Sequence, residues 1–164
     1  MQSLIRTQNL PITLGEAWEF FSDPSNLNKM TPGDMNFRIT SDLGNGRMYA
    51  GMIITYKVSP VLSIPLTWVT EITQVKDQEF FIDSQVHGPY RFWHHQHLFR
   101  EVPGGVEMTD IVSYALPFDP LSRPINSLLV EKKVKEIFKF REKKLEVLFP
   151  PVIATPTLVG RSNP

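Results

Sequence analysis

Cysteine is absent from this 164-residue chain. No disulfide framework, thiolate metal site or thiol nucleophile is open to it, and the composition fits a reducing compartment. Charge of one sign is not in surplus either: 17 Lys and Arg balance 17 Asp and Glu, and the pI lies near 6.9. A protein held on nucleic acid by phosphate contacts carries a basic excess, so no nucleic-acid partner is expected. No stretch reaches the ~20 apolar residues of a membrane span. Residues 1–6 (MQSLIR) lack the apolar core and small-residue cleavage site of a secretory signal. Gly-x-Ser-x-Gly elbows, P-loops and dinucleotide fingerprints are missing. The expectation is a cytoplasmic protein with no integral membrane association.

Aromatic residues and proline are well represented: 3 Trp, 4 Tyr, 11 Phe and 14 Pro. So many rings argue for a packed core over most of the length. The prolines fall mainly between periodic segments and punctuate them. Residues 3–10 read as a strand. Thr13 with Glu16 forms a capping box, so a short helix runs to about Ser22. Asp23-Pro24 restarts a second short helix, ended by Thr31-Pro32-Gly33. Strand signals follow at 37–41, 51–58, 66–75, 79–87, 91–100 and 106–116. From 124 to 149 the apolar positions take helical spacing: Ile125, Val130, Val134, Ile137, Phe138, Leu145, Leu148. Pro150-Pro151 stops that helix, and 150–164 reads as a flexible tail. The helix carries seven cations, Arg141 among them, against four acids, which reads as a solvated face.

This order predicts one α+β domain over 1–149. A curved antiparallel sheet of six or seven strands wraps a long C-terminal helix, with two short helices after the first strand. A bent sheet and one helix leave space between them, and such spaces bind ligands.

The four histidines lie at 87, 94, 95 and 97. On a strand, His95 and His97 share a face and His94 points away. His95-x-His97 followed by Glu101 mimics a metal-binding cupin motif, but a cupin adds a later histidine and this chain has none. No resident metal or cofactor is therefore expected. An even turn after Val102 would set His97 beside Asp110 and Trp93 beside Tyr114. Asp83 and Gln85 share a face of the preceding strand. A two-residue Gly88-Pro89 turn would put Asp83 on the other face of the sheet from His95, whereas an odd connection would unite them; the spacing leaves both open.

Three segments carry a family resemblance: residues 16–27 (EAWEFFSDPSNL), 88–97 (GPYRFWHHQH) and 110–118 (DIVSYALPF) before the long helix. They resemble the SRPBCC superfamily, the START-like helix-grip proteins, and within it a bacterial ligand-binding subgroup. The resemblance covers 1–149 and implies a cavity for a small hydrophobic or amphipathic ligand, lipid-, polyketide- or sterol-like. It also implies that the polar positions Asp83 and Gln85 join the histidine face. Met52, Tyr56, Trp68, Trp93, Tyr114 and Phe138 would form the walls. Asp83, Gln85, His95, His97 and Asp110 would orient the polar end. The leading expectation is a binding module with no catalytic residue. The alternatives are a cyclase- or isomerase-like enzyme moving protons through His97 and Asp110, and a cupin-like metal enzyme using His95, His97 and Glu101.

Overall fold

A computed structural model describes residues 1–44, 46–59, 64–116 and 125–151, with side chains of the last helix from Leu128 onward. Its elements are β1 (Gln2–Leu10), α1 (Leu14–Phe21), β2 (Arg38–Ile39), β3 (Met52–Val58), β4 (Leu66–Lys76), β5 (Phe80–His87), β6 (Phe92–Val102), β7 (Gly105–Ala115) and α2 (Ile125–Leu148). The strands form one antiparallel sheet in the order β1-β7-β6-β5-β4-β3-β2. The expected tail at 150–164 lies mostly outside the described residues, which end at Pro151.

Local chemistry sets the element ends. Thr13 Oγ1 accepts from Glu16 N at 3.2 Å, while Glu16 Oε2 accepts from Thr13 N at 2.8 Å, so two of the orphan donors at the start of α1 are satisfied. The second short helix is a 3-10 segment, Pro24–Met30, capped by Asp23 on Ser25 N at 2.9 Å. It stays tight because Asn26 turns inward and donates from Nδ2 to Phe20 O at 2.8 Å. The strand expected at 37–41 shrinks to two residues. Thr40 N and Ser41 N both donate to Thr55 O, and Ser41 Oγ accepts from Thr55 N, so the ladder ends in an irregular knot.

Burial alternates along the strands, and one face is apolar: Met52 and Ile54 on β3, Trp68 and Ile72 on β4, Phe81 on β5, Phe99 on β6, Met108 and Val112 on β7. The turn after β6 is the two residues Pro103-Gly104, with Val102 opposite Gly105. Gly105 admits no side chain, since a Cβ there would sit 2.0 Å from Leu10 O. α2 lies against the sheet face, burying Val134, Phe138 and Leu145. At 1.5 Å per residue its 24 residues span ~36 Å, the reach of the 11-residue strands beneath it at ~3.3 Å per residue. Among the described residues, no helix is long and apolar enough to cross a membrane.

Candidate functional site

Strands β5, β6 and β7 bring four polar side chains together on the apolar face. The β6–β7 register sets Trp93 opposite Tyr114, His95 opposite Val112 and His97 opposite Asp110. The β5–β6 register sets Asp83 opposite His95 and Phe81 opposite His97. That pairing corresponds to an odd connection, so the two-residue Gly88-Pro89 turn does not form. Two register shifts between β4 and β5 accompany it. Asp83 therefore joins the histidines.

The cluster is largely buried and tightly bonded. His95 Nε2 lies 2.8 Å from Asp110 Oδ1, and His97 Nε2 lies 3.1 Å from Asp83 Oδ2. His95 Nδ1 stands 3.4 Å from the same Asp83 oxygen. His97 Nδ1 comes within 2.9 Å of Asp110 Oδ1, but at an angle too poor for a directed hydrogen bond. The imidazoles are tilted at 43° to each other with centroids 3.8 Å apart, and Phe81 stacks on His97 at 4.1 Å.

Burial alone would raise both carboxyls. For Asp83 the bond from His97 outweighs it, helped by the charges of His95, His97 and Arg141, and the group titrates below the usual carboxylate range. Asp110, which accepts from His95 and has the His97 ring against it, is held far lower. The histidines diverge. Burial and the neighbouring His97 push His95 down, while for His97 the two carboxylates overcome burial and raise it.

A cavity of about 140 Å³ opens from this cluster between the sheet and α2. Tyr56 stacks on Trp68, Trp68 meets Trp93 edge-on at 5.4 Å, and Tyr90 packs on Trp93 at 4.8 Å. Phe138 closes the α2 side, 5.5 Å from His95. Tyr56 donates to or accepts from Thr70 at 2.9 Å, and burial raises both Tyr56 and Tyr90, so both phenols stay neutral. Three buried nitrogens with no partner belong to lining residues: Trp68 Nε1, His97 Nδ1 and Arg141 Nε.

Solved structures similar to this chain share its architecture. Protein CV1439 from Chromobacterium violaceum matches with a TM-score of 0.69 at 10% identity, over 91% of this chain and 97% of its own. Ginseng major latex-like protein 151 from Panax ginseng gives 0.66 at 11%, covering 92% and 98%. Ara h 8.0201 gives 0.61 at 15%, covering 89% and 98%. The fold is the helix grip. No protein-family model matches the sequence, and no curated protein is significantly similar to it.

Of the residues singled out in the sequence, the helix-grip cavity is lined by Tyr56, Trp68, Asp83, Trp93, His95, His97 and Phe138. Met52 is buried in the neighbouring apolar core instead. Gln85 spends its amide on the β5–β6 loop, donating from Nε2 to Tyr90 O at 2.6 Å and accepting from Tyr90 N at 3.2 Å. Asp110 sits behind the histidines, facing a cleft between β1, β7 and α2. Tyr114 backs Tyr90 and Trp93 from outside the cavity. Glu101 is exposed, ~13 Å along β6 from His97 at strand rise, and stays apart from the histidines.

Tyr90 and Arg141 are among the lining residues that the sequence reading did not assign to the site. Tyr90 lies in the loop that Gln85 ties down. Arg141, grouped there with the solvated cations of α2, is half-buried, with its guanidinium 5.1 Å from the Phe138 ring. Its spacing from Val134, Phe138 and Leu145 places it on the buried stripe, and that is the signal that marks it.

Proposed function

We propose that this protein is a binding module for a small apolar or amphipathic molecule, of the kind its resemblance to ligand-binding SRPBCC domains implies. The observation that supports this most is the cavity itself: four aromatic side chains form one wall, and a cluster of two histidines and a carboxylate stands at one end. Apolar walls with few convergent polar groups are the usual make-up of a small-molecule site. Apolar cavities near 150 Å³ accept a single aromatic ring, so the proposed ligand inserts a ring-sized apolar part. A sterol- or lipid-sized molecule enters only if α2 moves outward. The unpartnered donors on Trp68 and Arg141 favour a ligand bearing an acceptor oxygen such as a carbonyl or carboxylate.

Native mass spectrometry of the purified full chain, followed by solvent extraction, tests this. A co-purified organic molecule at near one per chain supports the reading. Trp68 and Trp93 line the cavity, so rebinding that molecule should change tryptophan emission. His97→Ala should weaken binding at pH 7 by about tenfold or more, the loss of a charged hydrogen bond, with the fold kept. Phe138→Ala should loosen both binding and fold. Empty protein whose emission ignores a panel of aromatic acids and ketones overturns the proposal.

A further inference from the structure

We propose that Asp83, His95 and His97 form a binding site for one divalent first-row transition cation at the end of the cavity. The inference stands on the cluster's geometry and does not depend on which molecule fills the apolar part. One donor atom from each residue lies within 4.8 Å of the other two. Asp83 Oδ2 is 3.1 Å from His97 Nε2 and 3.4 Å from His95 Nδ1. Donors bonded to one metal at ~2.0–2.2 Å stand about 3.0–3.5 Å apart in tetrahedral or octahedral geometry. Those two edges are therefore already at coordination length.

The second observation concerns the nitrogens pointing away from Asp83. Ligating histidines characteristically give their other ring N–H to a carboxylate, which fixes the tautomer and raises ligand basicity. Here both away-facing nitrogens lie against one group: His95 Nε2 is hydrogen-bonded to Asp110 Oδ1 at 2.8 Å, and His97 Nδ1 is 2.9 Å from the same oxygen, in contact but not aligned for a directed bond. Asp110 touches no position where the cation would sit, so it is a positioning residue. Charge agrees as well. Ligation requires both imidazoles neutral; the two carboxylates then carry −2, which a divalent cation balances. Two histidines and one carboxylate suit zinc, iron or manganese chemistry and leave positions open. Those positions face the cavity, where a ligand oxygen or water completes the shell.

The sequence expectation of no metal rested on the lack of a histidine after His97. The third ligand comes instead from the preceding strand, through the odd β5–β6 connection. Glu101, the residue a cupin pattern would supply, takes no part.

The full chain, stripped with a chelator, is titrated with Co2+ and read by visible absorption and calorimetry. One equivalent should bind tighter than 10 µM, and hyperfine-shifted proton signals should show two imidazole N–H groups on the cation. Asp83→Asn and the double change His95→Ala/His97→Ala should each weaken binding at least 100-fold. Asp110→Asn should weaken it 10–100-fold. His94→Ala should leave it unchanged, since His94 lies on the other face, bonded to Ser84. Binding weaker than 1 mM, binding that survives the double change, or a spectrum with no shifted imidazole N–H in the unaltered chain overturns the site. The spectrum needs no variant, so a substitution that fails to fold does not obscure the answer.

Discussion

Asp110 is buried beside two histidines and borders the cleft toward β1 and α2. Its carboxylate accepts from His95 and lies against His97, with Met108 and Val112 buried on either side of it along β7. Removing one partner of a buried charged pair leaves the other uncompensated, at a cost of about 3–5 kcal/mol. Asp110→Ala should lower unfolding free energy by about 3 kcal/mol in urea titrations run with chelator present; a loss below about 1 kcal/mol would show that the cluster is solvated. Glu16 differs in kind. It is exposed, and its bonds from the side chain and backbone of Thr13 hold it below the ordinary 4.5. A depressed carboxyl contributes stability that is present above its unfolded pKa and fades as pH falls through the folded one. The Glu16 carboxyl carbon, followed by NMR, should titrate below 4.5, and Thr13→Ala should move it part of the way back, since the backbone N–H of residue 13 still donates to it.

At the scale of elements, that capping box was legible before any coordinates, because Thr-x-x-Glu ahead of an apolar run satisfies two named donors. Thr13→Ala should cost about 1 kcal/mol in thermal unfolding. The β6–β7 register was legible for a similar reason: alternation fixes faces, and a short even turn then fixes partners. Gly105 enforces that turn, and Gly105→Ala should destabilise by at least 2 kcal/mol, since its methyl group meets backbone rather than a movable side chain. A neutral Gly105→Ala would show that β1 can slide away. The placement of Asp83 was not legible. It depends on whether the β5–β6 connection is odd or even, and residues 88–91 read equally well either way. What decides it is the tertiary anchoring of the loop by Gln85 on Tyr90 and by Arg91 N on Ala115 O, 2.9 Å away. Arg141 escaped because composition averages over a helix, whereas burial is decided stripe by stripe.

For the whole molecule, the arrangement separates a stiff floor from a lighter roof. The polar cluster sits on β5, β6 and β7, three strands with a partner on each side. α2 contributes three deeply buried side chains among its described residues and exposes Leu128, Leu129 and Val147. Free energies of local opening follow such differences in burial. Amide hydrogens of 94–98 and 107–112 should therefore exchange with deuterium only through global unfolding, while those of the α2 face around Leu128 and Leu129 exchange through smaller openings. Equal protection of the two would contradict this division. The same division sets a clock. A molecule enclosed between floor and roof leaves at the frequency with which the helix lifts, so its residence time is written into α2, and substitutions at Val134 or Leu145 should change how long it stays without touching the groups that choose it.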